Sequence, residues 1–299
     1  MADEKAMEFF QTLKKDRFES WERMFDQLSA RDDVEIVDLW EGDCPDFDLK
    51  KGQKSPRLAV YPPHEGQPMG SLIICAGGAH IFKSYNEAMP VADYFYARGF
   101  HTAILDYRVD PYTQEDSCRD GCRAVRYLRA NAGKYNILPD HIAIGGFSAG
   151  GKLTGQVATH FDYGNPQAED PVERVSSRPD AALELYGSFD ESVCVSSFLG
   201  YSPEKQQQAA KMSPTCNLRP DCPPFFLMET LFDDPRTITG FAGALANFGI
   251  PFALHLFHSG NHGGGLYDGQ YEVEDNPHTA KWAELACDWL EDLGFLGGK

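Results

Sequence analysis

Long apolar runs are missing from this 299-residue chain. No stretch approaches the about 18 consecutive apolar residues that a spanning helix needs, so no membrane segment is expected. Basic residues are scarce: 27 Lys and Arg stand against 45 Asp and Glu, a net charge of −18. Such a surface repels phosphate backbones and anionic lipids, which argues against nucleic acid or a membrane as partner. The opening residues, MADEKAMEFFQTLKKDRFESW, lack a basic start followed by an apolar core. No secretory leader is read there, and the cytoplasm is the expected compartment, although a chain trimmed of its leader would read the same. Paired cysteines are lacking too. Eight are scattered, at 44, 75, 118, 122, 194, 216, 222 and 287, and none forms a CxxC pair. Cys118 and Cys122 share a helix face, but no second pair or nearby histidine completes a zinc set. Most read as buried thiols; a Cys216–Cys222 disulfide is compatible with their shared loop. Internal repeats and Ser/Gly-rich linkers are also absent, so residues 1–299 read as one domain.

What is present is alternation. Residues 4–30 read as a helix, with Phe18, Trp21, Phe25 and Leu28 on one face. Strands are expected at VEIVDLW (34–40), RLAVYPP (57–63) and SLIICAGG (71–78), the last a continuous apolar run suited to burial on both faces. Strands at 101–109, 141–146, 180–187, 224–230 and 252–257 then alternate with helices at 91–99, 116–135, 149–160 and 237–248. A final helix carries Trp282, Leu285, Ala286, Trp289, Leu290 and Leu293 as one stripe. This predicts an α/β fold: a mostly parallel sheet wrapped by helices on both faces, with an antiparallel edge at the first strands. Two parts stand apart. Residues 1–56 form a helical extension with the first strand, and 189–222 read as an irregular insertion near the carboxyl edge of the sheet, where such folds bind ligands.

GGFSAGG (145–151) sits between a predicted strand and a predicted helix. Gly146-Phe147-Ser148-Ala149-Gly150 fits G-x-S-x-G, the sharp turn that lifts a nucleophilic serine above a sheet. The pattern alone arises by chance in on the order of one chain in ten of this length, so the strand–turn–helix context carries the argument. Ser148 needs a base. Of the histidines beyond its own helix, His262 lies in the glycine-rich loop HSGNHGGG (258–265) after the last long strand, and is expected to be that base. His258, at the strand's end, reads as a structural or surface residue. The acid should follow the preceding strand, where METLFDDPRT supplies both Asp233 and Asp234. CAGGAH (75–80) leaves an apolar strand with two glycines, so the amides of Gly78 and Ala79 can aim, with that of Ala149, at one developing oxyanion.

These segments, taken in order, resemble the α/β-hydrolase fold, and in particular the small esterases grouped as acetylxylan-esterase-like and hormone-sensitive-lipase-like. AGGAHIFKSYNEAMPVADYFYARGFHTAILDYRV is similar to the oxyanion segment of that group, GGFSAGG to its nucleophile elbow, and PPFFLMETLFDD and HLFHSGNHGGG to its acid and histidine segments. The likeness runs from about residue 57 to 295. Ala76 and His80 depart from the usual residues of the oxyanion segment, and PRTITG is short. The resemblance implies a Ser-His-Asp triad. Anchoring on Pro235, which follows the second aspartate in many members and restricts its neighbour, favours Asp234 over Asp233.

The expectation is a serine carboxylesterase acting on short acyl esters, acetyl esters of sugars or glycosides being suggested by resemblance. It would need no metal or organic cofactor. Its partner would be a small-molecule ester, and the N-terminal 56 residues could cap the site, form a homodimer contact or simply pack. An amidase or peptidase using the same triad is the nearest alternative, and a non-catalytic binding protein on this scaffold is the alternative of another class.

Overall fold

The computed structural model describes residues 2–40, 42, 44–187, 204 and 211–297. Eight strands form one sheet: β1 (Glu35–Asp38), β2 (Arg57–Val60), β3 (Met69–Cys75), β4 (His101–Asp106), β5 (Ile137–Phe147), β6 (Ala181–Leu185), β7 (Phe225–Thr230) and β8 (Phe252–Phe257). Their spatial order is β1-β2-β4-β3-β5-β6-β7-β8. β1 and β2 are antiparallel to their neighbours, while β4-β3-β5-β6-β7-β8 run parallel, as strands joined through helices must. The expected α/β architecture with an antiparallel edge is therefore the observed one.

Helices cover both faces. α1 (Ala2–Ser29), α2 (Met89–Tyr96) and α6 (Trp282–Asp292) lie on one; α3 (Gln114–Ala130), α4 (Ala149–His160) and α5 (Pro235–Phe248) lie on the other. The alternation of strand side chains splits the core accordingly. Leu72 and Ile74 of β3 meet Phe95 and Trp282 on the first face, whereas Ile73 meets Val125 and Val157 on the second. Phe225 and Leu227 of β7 pack on Phe241 and Leu245 of α5. Because both faces are covered, β3, β4, β6 and β7 are buried nearly throughout, and β3, β6 and β7 are mostly apolar, whereas the edge strand β8 is only partly buried. β5 is longer than its apolar run: it starts at Ile137, where a register shift lets it pair with Met69 before rejoining at Ser71–Ile142.

α1 is built into this core. Trp21, Met24, Phe25 and Leu28 are all buried. The Trp21 indole donates to Asp106 Oδ1 at 2.8 Å, and Arg57 Nε donates to Asp106 Oδ2 at 2.8 Å. Lys83 donates to the same carboxylate and, at 2.8 Å, to the Tyr107 carbonyl. Since Lys83 follows the Gly77–Gly78 turn, α1 braces the loop after β3 through Asp106. Of the segment expected to be irregular at 189–222, residues 188–203 and 205–210, with Cys194, lie outside the described residues. Cys216 and Cys222 are free thiols, one exposed and one buried, so the disulfide compatible with their spacing is not formed. Trp21→Ala should cost about 3–5 kcal/mol of unfolding free energy in urea titration. A loss below about 1 kcal/mol would make α1 a detachable appendage, within the range of surface changes.

Candidate active site

Ser148 stands between β5 and α4 with φ 52° and ψ −118°. A non-glycine residue there costs on the order of 1–3 kcal/mol and persists only if its surroundings enforce it. The glycines do so. A Cβ on Gly150 would lie 2.1 Å from the Cys75 carbonyl oxygen, and one on Gly146 would lie 2.3 Å from that of Gly150. Only bare backbone lets β3, β5 and the first turn of α4 converge this closely. The Ser148 amide donates to the Leu185 carbonyl at 2.9 Å, anchoring the turn to β6.

His262 arrives from the loop after β8. Thr230 at the end of β7 donates its hydroxyl to the Gly260 carbonyl at 2.7 Å. Tyr267 donates to the Asn261 carbonyl at 2.8 Å, and the Trp282 indole to that of Gly265 at 3.0 Å. Gly263 and Gly265 take positive φ, and a Cβ on Gly264 would fall 2.1 Å from the Tyr267 ring. The glycine run therefore lets the loop fold over the sheet edge. His262 Nε2 lies 2.8 Å from Ser148 Oγ, and its Nδ1 lies 2.8 Å from Asp233 Oδ2. The structure brings the sequence-predicted serine and histidine together. His255, inside β8, stacks near Phe226, while His258 and His278 pair away from the serine.

The aspartate is a correction. Asp234, favoured from the sequence, does not contact His262. It is the N-cap of α5, accepting from the Arg236 amide at 3.0 Å and from the Arg236 guanidinium at 2.8 and 2.9 Å. Those bonds hold its carboxyl down to about 2. The cause is Pro235 itself: proline at the first helical position, preceded by aspartate, is a helix-start signature. It commits the residue before it to capping, which leaves Asp233, one step back in the turn, facing the imidazole.

Electrostatics sharpen the pair. Burial by itself would lower the His262 imidazole, but the Asp233 hydrogen bond and charge, with Glu87 behind, outweigh it and raise it above the ordinary range. Under Asp233, burial and then the charge of that aspartate push the Glu229 carboxyl well above the usual carboxylate range.

The loop after β3 supplies amides. The Gly77 amide donates to Glu87 Oε2 at 2.7 Å. Gly78 and Ala79 follow with φ of 136° and 56°. A Cβ on Gly77 would be 2.8 Å from that of Ser148, so this loop lies directly against that serine. Among the described residues, nothing accepts from the amides of Gly78, Ala79 or Ala149. Glu87 and Tyr186, both buried and bonded to each other at 2.8 Å, were not legible beforehand. A lone glutamate in SYNEAMP and a tyrosine ending a strand carry no local signature. No cluster of three or more metal-ligating side chains occurs among the described residues.

A covered parallel sheet with serine, histidine and aspartate delivered by successive loops at its carboxyl edge defines an α/β-hydrolase. Comparison with known proteins refines that class. The family model described as BD-FAE matches residues 58–235, and the chain belongs to that family. The acetyl ester-xyloside bifunctional hydrolase from Caldicellulosiruptor lactoaceticus is 31% identical, with a TM-score of 0.76 over 88% of this chain and 97% of that one. Endo-1,4-beta-xylanase B of Butyrivibrio fibrisolvens is 30% identical over 243 residues, 73% of this chain and 38% of that protein. The acetylxylan esterase of Xylanibacter ruminicola is 26% identical over 76% of this chain and 45% of its own length. The chain thus spans less than half the length of these curated relatives.

Asp233→Asn should lower kcat by up to about 10⁴, whereas Asp234→Asn should leave kcat nearly intact and weaken only the start of α5. Steady-state kinetics on both variants check this. A crippled Asp234→Asn beside a normal Asp233→Asn would reverse the geometric assignment.

Proposed function

We propose that the chain is a serine carboxylesterase that removes short acyl groups, with acetyl esters of sugars or glycosides as its substrate class. The observation that carries this reading is the relay from Ser148 Oγ through the two imidazole nitrogens to Asp233, with both links at 2.8 Å. The substrate class is supported by the acetyl ester-xyloside hydrolase and the acetylxylan esterase to which the chain is similar.

In this mechanism Ser148 attacks the ester carbonyl while His262 Nε2 takes its proton. Asp233 accepts from Nδ1–H, fixes the tautomer and stabilises the imidazolium. The amides of Gly78, Ala79 and Ala149 receive the tetrahedral oxyanion; Ala149 adds the positive end of the α4 dipole. His262 then protonates the departing alcohol, and a water activated by the same imidazole cleaves the acyl-enzyme. Among the described residues, no helix is long and apolar enough to cross a membrane.

Ser148→Ala should lose hydrolysis by several orders of magnitude and lose labelling by a fluorophosphonate probe, with an unchanged melting curve. Retention of more than about a tenth of the rate would refute the nucleophile. On p-nitrophenyl esters, kcat/KM should be higher for acetate than for a chain of about ten carbons; the opposite order would remove the short-acyl reading.

The pH profile follows from the imidazole. Only neutral His262 accepts the serine proton, so kcat/KM should climb with pH. Because His262 is raised, the midpoint should lie above about 6.5, the unperturbed imidazole value. A midpoint below that would contradict the charge balance described above.

A further inference from the structure

Glu87 is buried in the short 3-10 turn Tyr85–Glu87. Its two oxygens face two different loops. Oε2 accepts from the Gly77 amide at 2.7 Å, at the root of the oxyanion loop. Oε1 accepts from the Tyr186 hydroxyl at 2.8 Å. That hydroxyl accepts in turn from the Gly265 amide at 3.0 Å, in the loop that carries His262. The Tyr186 ring also meets the imidazole edge-on, with centroids 5.1 Å apart. Beside Glu87, Asn86 donates to the Gly263 carbonyl at 3.0 Å.

The donor directions bear on the charge. The Gly265 N–H points at the Tyr186 oxygen, and the phenol proton goes to Glu87. The Gly77 N–H goes to the other carboxyl oxygen. Both oxygens therefore accept, which is the hydrogen-bonding pattern of a carboxylate. Burial raises this carboxyl above the ordinary range; the Tyr186 and Gly77 bonds and the nearby His262 oppose that rise without cancelling it.

We propose that Glu87 is a positioning residue whose buried carboxylate, through Gly77 on one side and Tyr186 on the other, holds the oxyanion and histidine loops in register and supplies a second negative charge facing the imidazolium. The inference rests on the esterase reading above. Gly77 and Gly78 are conformationally free by themselves, and Gly78 sits at φ 136°. Fixing the Gly77 amide fixes the turn that aims the next two amides. Each such donor is worth about 10²–10³ in kcat, and small displacements forfeit much of that. The groups acting on Glu87 are Tyr186 after β6, the Gly77 amide, His262 and Arg17 of α1; those acting on His262 are Asp233 at the end of β7 and Glu87; and Tyr267, in the histidine loop, feels Asp233, Glu229, Glu87 and Glu274.

The test uses the intact chain, with p-nitrophenyl acetate hydrolysis and fluorophosphonate labelling of Ser148 followed across pH. Wild-type labelling and hydrolysis come first. If the wild type does neither, the esterase reading fails by its own measurement. Glu87→Gln keeps the volume but can accept from only one loop, and it removes the charge. It should lower plateau kcat by about 10–100-fold, keep KM within about threefold, and move the limb set by His262 to lower pH. Glu87→Asp keeps the charge with a shorter reach, so its kcat should fall while the limb stays close to wild type. Tyr186→Phe cuts the link to Gly265 and should likewise lower kcat without moving the limb. A Glu87→Gln enzyme with plateau kcat within about twofold of wild type, or with its limb unmoved, overturns the proposal. If Glu87→Gln does not fold, Tyr186→Phe decides: a kcat within about twofold of wild type overturns the link between the loops.

Discussion

Everything at the carboxyl edge of this sheet follows from how closely three backbones approach at Ser148. Gly150 lies against the Cys75 carbonyl, Gly146 against Gly150, and Gly77 against Ser148, each closer than any Cβ permits. That convergence forces the serine to positive φ and lifts its hydroxyl off the sheet. It also starts the loop after β3 beside Ser148, because Gly77 follows Cys75 and Ala76 directly out of β3. Strain at the serine and proximity of the amides are therefore one packing event. A methyl group at any of these three glycines would separate β3 from β5 and spoil both at once.

The region beneath this edge is crowded with carboxyl groups. Asp233, Glu229, Glu184 and Glu87 all lie near the carboxyl ends of β6 and β7 or the loops above them. Like charges cannot all persist in a poorly solvated space. Burial first, then Glu229, drives Glu184 far above the carboxylate range. Its side chain lies against Gly151 and Gly187. Glu229 is pushed up likewise, by burial and by Asp233, and the acidic groups that raise the imidazole are Asp233 and, behind it, Glu87.

Much of this architecture was legible because its physics is local. A strand buried on both faces must be mostly apolar, and β3, β6 and β7 are, Glu184 and Glu229 being the charged exceptions near the carboxyl ends of β6 and β7. The glycines of GGFSAGG and HSGNHGGG mark places where backbones touch or turn, and they located Ser148 and His262. The aspartate was misread because two local signals overlap. Asp-Pro is a helix-start signal, and the same aspartate pair had to serve the histidine. Only the turn geometry shows that Asp234 caps α5 and points to Arg236, leaving Asp233 for His262. Glu87 and Tyr186 were illegible for a different reason. They lie 99 residues apart and meet only when the sheet forms, so no spacing rule predicts their hydrogen bond.

The surplus of negative charge around His262 has a definite chemical consequence. Burial favours a neutral imidazole, while Asp233 and Glu87 favour the cation, and the balance falls to the cation. A stronger base takes the serine proton more readily, but it is available only above its own pKa, so each gain in basicity narrows the pH range of the enzyme from below. In the proposed mechanism the same anions would oppose an oxyanion forming at Ser148. The Gly77 N–H is turned to the Glu87 carboxyl, while among the described residues nothing accepts from the amides of Gly78, Ala79 and Ala149. An oxyanion and an imidazolium would then be served by separate groups of one hydrogen-bonded array.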